Sequence, residues 1–306
     1  MARPRRHNSV PSFGAWIRAG VLGLTLGIPI VSVMLVEGAL HPRGAAVAPS
    51  RQPEWLPPGA AWQSAHIRAA DGVALDAWLL TPAHPNGAVV TLLHGVGDTR
   101  SGMLGYAHFL LRAGYAALLP DARGHGASGG DSIGYGVLEG DDLRRWSDWL
   151  CAQHPQWRQY GLGVSLGAAI LLESLVKPVR FRAVVAESPF ATFREIAYDR
   201  LSIGTGLPAW AFGPVVQLGI FYTRARYGLD LRRASPADAV RDTSIPILLI
   251  HGSADRNVPL HHSLELQSVN PRAVRLWVIP RAAHVHCLEM AGREYERRVL
   301  DWFQKD

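Results

Sequence analysis

From about residue 60 onward, short and fully apolar runs alternate with stretches of helical spacing. Residues 64–69 and 73–80 flank Asp71-Gly72, a dipeptide that favours a hairpin turn. Residues 88–93 form a continuous apolar run ending in His94-Gly95, and residues 115–119 form another, ending in Pro120-Asp121. Residues 101–112 carry helical spacing, and residues 138–154 read as an amphipathic helix with Leu143, Trp146, Trp149 and Leu150 on one face. Further buried strands are expected at 160–164, 182–186, 246–250 and 274–279, and a closing helix at 289–303. Strands that are apolar on both faces, separated by helices, imply a mostly parallel sheet covered on both sides, an α/β architecture. In such sheets ligands sit beyond the carboxyl ends of the strands. The loops after His94, Asp121, Val164, Glu187, His251 and Ile279 are therefore expected to surround one mouth.

Two segments break this rhythm. Residues 190–230 are long and aromatic (Phe193, Tyr198, Trp210, Phe212, Phe221, Tyr222, Tyr227) and are interrupted by Gly204, Gly206, Pro208 and Pro214. They read as a small helical cap over the mouth. Residues 19–36 carry no charge for 18 positions, enough to cross a bilayer at about 1.5 Å per residue once the flanks are counted. Pro29 is compatible with that, since membrane helices tolerate proline. A cleavable leader fits less well, because Glu37 precedes Ala39, and Ala46-Val-Ala48 runs into Pro49; a buried N-terminal helix of the globular domain is the remaining alternative. Arg3, Arg5 and Arg6 before the run outnumber Arg43 and the distant Arg51 after it. That bias expects a cytoplasmic N-terminus and a single-pass protein whose main domain is extracytoplasmic. The expected organisation is 1–41 as N-terminus and anchor, 42–59 as a Pro- and Gly-rich linker, and 60–306 as the globular domain.

Composition sharpens this picture only a little. A chain of 306 residues with 48% apolar and 18% charged residues is folded and long enough for one large domain. The net charge of +6 raises the question of nucleic acid, yet the arginines are scattered and alternate with acids, as in Asp141-Asp-Leu-Arg-Arg145. No basic stripe forms, and nucleic-acid binding is not expected. Cys151 and Cys287 show no metal spacing and are expected to be free thiols. No cofactor or metal is implied, and nothing in the pattern specifies an oligomer.

The candidate chemistry centres on Tyr160-Gly-Leu-Gly-Val-Ser-Leu-Gly-Ala-Ala-Ile170, a strand, a sharp turn and a helix with Ser165 at the apex. Such a turn needs tiny neighbours because the two backbones pass close together, and Gly163 and Gly167 supply the clearance. A serine nucleophile needs a base and an acid to orient it. The acid candidate is Asp255, just past the 246–250 strand, and the base candidate is His284, in the loop after the last strand. His286 competes with His284, and capping of a following helix competes as the role of Asp255. Backbone N–H groups of Val96 and Leu166 are the candidate oxyanion donors. His94 and His251 are expected to be structural rings, and Cys287 packing.

With these residues in place, the chain resembles the α/β-hydrolase superfamily over residues 60–303. It is most similar to the serine hydrolases that share an Asp-x-Arg-Gly-His-Gly-x-Ser segment, a group with monoacylglycerol-lipase-like, serine-aminopeptidase-like and membrane-anchored Bem46-like members. That segment here is Asp121-Ala-Arg-Gly-His-Gly-Ala-Ser128, and the oxyanion loop is Leu93-His-Gly-Val-Gly97. The resemblance implies a Ser165–His284–Asp255 triad and an acyl-enzyme route, with a small acyl-ester or lipid-like substrate. Amide or peptide hydrolysis and thioester hydrolysis are the alternatives within chemistry; a catalytically silent binding protein of the same fold is the alternative outside it.

Overall fold

The computed structural model describes residues 13–42 and 56–305, with side chains of the first helix described from Gly27 onward. Eight strands form one sheet in the order β1-β2-β4-β3-β5-β6-β7-β8. β1 (Ala61–Arg68) and β2 (Ala74–Thr81) form an antiparallel hairpin, closed by Gly72 at φ 86°. β2 also runs antiparallel to β4 (Ala116–Pro120), whereas β3 (Ala88–Leu93), β4, β5 (Arg158–Val164), β6 (Phe181–Glu187), β7 (Ile247–Gly252) and β8 (Val274–Ile279) are mutually parallel. The α/β expectation and the mostly parallel sheet are what the structure has.

The period-2 geometry of a strand sends alternate side chains to opposite faces. On β3, Val90 and Leu92 enter a core with α2 (Leu104–Arg112) and with Tyr295, Val299 and Phe303 of the last helix. Val89 and Leu93 face the other way, toward cores built with α3 (Glu139–Gln153) and α4 (Leu166–Glu173). Every residue of β3, β4 and β7 is buried, which is why those runs are apolar apart from Thr91 and His251. The closing helix is two pieces, Cys287–Ala291 and Arg293–Gln304, because Gly292 at φ 50° and ψ −123° cannot continue a helix.

Between β6 and β7 the chain makes α5 (Phe193–Thr205) and α6 (Gly213–Tyr227). Gly206 ends α5 and Gly228 ends α6, each in the left-handed region, and Pro214 sits in the first turn of α6.

At the N-terminus, α1 runs from Phe13–Leu40 and contains the uncharged stretch expected to span a bilayer. Among the described residues no helix is long and apolar enough to cross a membrane. The last turns of α1 differ from a free-standing anchor, because they dock on the cap. Val36 and Leu40 are buried with Val216 and Ile220 of α6 and with Phe193, Leu229 and Leu231. The Glu37 carboxylate accepts hydrogen bonds from Tyr222 Oη (2.6 Å) and Tyr227 Oη (2.7 Å), which hold it below the usual carboxylate range. The carbonyls of Ala39 and Leu40, orphaned at a helix C-terminus, accept from Tyr135 Oη and the Ile133 N–H. Most of the expected linker 42–59 lies outside the described residues.

Candidate active site

Ser165 stands between β5 and α4 at φ 53° and ψ −117°, a conformation costly for a residue with a Cβ. Its N–H donates to the Glu187 carbonyl (2.8 Å), tying the turn to the end of β6. A Cβ on Gly163 would run into the Gly167 carbonyl, and one on Gly167 into the Leu93 carbonyl. The glycines therefore let the β3 loop, the turn and the helix pass one another at backbone distance.

His284 lies beyond β8 and Asp255 beyond β7. The His284 Nε2 is 2.9 Å from Ser165 Oγ, and its Nδ1 is 2.7 Å from Asp255 Oδ2. An ionised carboxylate only accepts, so Nδ1 carries the proton and Nε2 is free to accept from the serine. Asp255 is buried, which pushes its pKa up, but the hydrogen bond and charge of His284 and the Val258 N–H outweigh burial and keep it ionised. Its Oδ1 accepts from the N–H groups of Asn257 and Val258, both at 2.9 Å. Asp255 thus caps its own loop and holds the imidazole with the two oxygens of one carboxylate. His286 faces Glu289 at 3.9 Å, is more than half exposed, and is not brought to Ser165.

Val96 and Leu166 line the same cavity of about 520 Å³ as Ser165 and His284. The loop carrying Val96 lies against Ser165: a Cβ on Gly95 would sit 3.4 Å from Ser165 Cβ. Two histidines pin that loop. His94 donates from Nδ1 to the Gly95 carbonyl (2.8 Å) and accepts from the Ala122 N–H at Nε2 (3.1 Å). His125 Nε2 accepts from the Gly97 N–H (3.1 Å) while Nδ1 donates to the Arg123 carbonyl (3.0 Å). Burial lowers both pKa values, consistent with neutral rings in these tautomers. His251 is likewise structural, between Ser263 Oγ and the Val258 carbonyl.

The Asp121–Ser128 segment works from beneath. Asp121 accepts from Arg100 and from the Ala127 N–H, Arg123 pairs with Asp142 and Asp71, and Ser128 Oγ donates to the Asp121 carbonyl. The motif is a fastening between the β4 loop and the loop carrying Val96. Sequence reasoning assigned no role to Glu187, whose carboxylate accepts from Tyr106, Tyr295 and the Cys287 N–H and so braces the histidine loop. Burial raises its pKa, and burial with the neighbouring Glu187 raises that of the Cys287 thiol, an inert packing group. Cys151 and Cys287 are both free.

Asp199 of α5 with His261 and His262 of α8 (His261–Val269) forms the one cluster among the described residues with metal-ligand geometry. The tautomer argues against a metal. His262 Nδ1 accepts from the Ala191 N–H (3.2 Å), so the neutral ring carries its proton on Nε2, toward Asp199 Oδ2 at 3.0 Å. With His261 Nε2 at 2.7 Å from the same oxygen, the cluster straps the cap to the main domain.

The fold and this constellation are those of the serine hydrolases of the α/β-hydrolase superfamily, and the chain is similar to that group over much of its length. The family described as serine aminopeptidase, S33, matches residues 84–218. Monoacylglycerol lipase of Mycolicibacterium smegmatis is 27% identical over 266 residues, covering 75% of this chain and 90% of its own length. Protein YqkD of Bacillus subtilis is 27% identical over 239 residues, 77% of each chain. In three dimensions, the Pyrococcus furiosus esterase Pf2001 superposes with a TM-score of 0.69 at 24% identity, over 86% of this chain and 98% of that one.

Proposed function

We propose that this chain is a membrane-anchored carboxylic ester hydrolase acting through Ser165, His284 and Asp255. The observation that carries the chemistry is the unbroken relay from Asp255 Oδ2 through His284 to Ser165 Oγ, at 2.7 and 2.9 Å. Ser165 Oγ attacks the acyl carbonyl as His284 Nε2 takes its proton, and Asp255 steadies the imidazolium. The Val96 and Leu166 N–H groups receive the oxyanion, a contribution worth about 3–4 kcal/mol per donor in such sites. His284 returns the proton to the departing alcohol, and water then releases the acyl group by the same route.

An apolar ester is favoured by the cavity walls, which include Tyr135, Phe190, Ile196 and Val258, and by the similarity to an esterase and a monoacylglycerol lipase. A second reading, amide hydrolysis of a peptide N-terminus, is favoured by Asp98, a carboxylate on the cavity wall that could pair with an amine. A panel of p-nitrophenyl esters beside aminoacyl-nitroanilides tests the choice. The ester reading expects kcat/KM to favour the esters; a preference for the anilides overturns it.

The anchor rests on the uncharged run and on geometry. Residues 19–31, the part of the uncharged run ahead of the docked turns, span about 20 Å at the helical rise, and α1 continues ahead of them to Phe13. Ile30 and Met34 on α1, and Trp210 (80% exposed) and Phe221 (69% exposed) on the cap, are exposed apolar groups suited to a membrane-facing surface. The arginine bias supports an extracytoplasmic catalytic domain.

A further inference from the structure

Beside the catalytic cavity lies a second one of about 410 Å³, half open to solvent and lined by α1, α5, α6 and Tyr135. We propose that this chamber holds the alkyl chain of the substrate, so that the N-terminal helix forms one wall of the substrate site. The proposal rests on the ester reading above and deepens it by naming the substrate class, esters of long unbranched chains.

The two cavities share three lining residues, Tyr135, Ile196 and Arg200, so they meet along a common boundary. Tyr135 is the fixed part of that boundary. Its backbone is at φ 54°, held by Glu139, whose carboxylate accepts from the N–H groups of Gly134 and Gly136 on either side. Its ring meets Phe193 edge-on with centroids 4.8 Å apart, and its hydroxyl donates to the Ala39 carbonyl of α1. The position of the divide is thus set by the N-terminal helix itself. Arg200, the charged member of the boundary, donates from Nη1 to Asn257 Oδ1 (2.7 Å) on the catalytic side.

Beyond the boundary the walls are apolar: Leu35 and Val36 from α1, Ala197 from α5, and Val216 and Ile220 from α6. The Ser32 hydroxyl, which also lines the chamber, is already committed to the Ile28 carbonyl at 2.7 Å. Water there would find few partners, and an apolar chain gains what water lacks. The volume lies in the range of small-molecule sites, about 300–1,000 Å³. At Gly219 α6 packs against α1: an added Cβ would be in ordinary contact, 3.7 Å from the Ser32 carbonyl and from Val36 Cβ.

The test uses the full chain in detergent with ethyl and dodecyl fluorophosphonates, which bond to Ser165 Oγ with loss of fluoride. The second-order labelling rate of the wild type should favour the dodecyl probe at least tenfold. Ala197→Trp and Leu35→Trp fill the chamber from opposite walls, and each should slow dodecyl labelling at least tenfold more than ethyl labelling. Loss of the dodecyl preference in both variants, in a protein that hydrolyses no ester, would keep the chamber and discard the ester reading. Equal slowing of both probes, or an undiminished preference in both variants, would overturn the chamber while leaving ester hydrolysis standing.

Discussion

Ser165 is held in an unfavourable backbone conformation by contacts that converge on it from β3, β6 and α4, and the cost is met because a single oxygen must point at the histidine. Its partners act as a unit, so removing one charge should be felt at the serine. Asp255→Asn keeps the shape but can present an amide to His284, favouring the wrong tautomer; kcat/KM for an ester should fall about 10⁴-fold, read by steady-state kinetics. His125 is further out: His125→Ala leaves the Gly97 N–H without its acceptor and loosens the loop that carries Val96. The expected effect is a 10- to 100-fold loss in kcat with a smaller change in KM, measured on the same substrate. Ser165, Asp255 and His284 were legible because chain order and strand-end position put all three at one rim. Tyr135 and Glu187 were not. A lone tyrosine in a glycine-rich loop has no period, and a glutamate closing an apolar strand gives no sign of the two tyrosines that will meet it.

At the scale of elements, the central strands were readable because burial on both faces leaves continuous apolar runs. β8 begins and ends where the pattern does, but it is an edge strand with only Val274 and Ile279 buried, not the buried strand expected. The short helix α7 (Pro236–Val240) was invisible, being too brief to show a helical period. The break at Gly292 was also passed over, since one glycine in a helical pattern is compatible with an uninterrupted helix. The elbow is the element most sensitive to size. Gly167→Ala drives a methyl into the Leu93 carbonyl and should cost at least about 2 kcal/mol, seen as a lower Tm together with lost fluorophosphonate labelling. The strap between α5 and α8 carries a pH signature. His262 is fully enclosed, and burial together with the charge of His261 pushes its pKa down to about 4. The unfolded chain, with an ordinary histidine near 6.5, then binds more protons than the folded one, so stability falls with pH from about 6.5 toward about 4. Comparing wild type with His262→Asn cancels the opposing titration of the buried glutamates. The variant should show a shallower decline in Tm between pH 6.5 and 4.5, and an equal slope would remove the strap from the account.

Across the whole molecule, the two roles proposed above, anchor and wall of the substrate site, meet in the N-terminal helix. The uncharged run could be read as an anchor, but its docking on α6 could not, because the partners of Glu37, Tyr222 and Tyr227, lie about 190 positions away. If the anchor reading holds, the full chain stays in the membrane fraction after an alkaline carbonate wash; release into the soluble fraction would count against it. The central claim is independent of the anchor: three distant side chains form one proton-relay unit whose nucleophile is Ser165. It is tested most directly by mapping the site of fluorophosphonate attachment in the intact protein by mass spectrometry. The account expects a single adduct on Ser165, absent from Ser165→Ala and strongly slowed in His284→Ala. A folded wild-type protein that acquires no adduct, or acquires it on another residue, would contradict it.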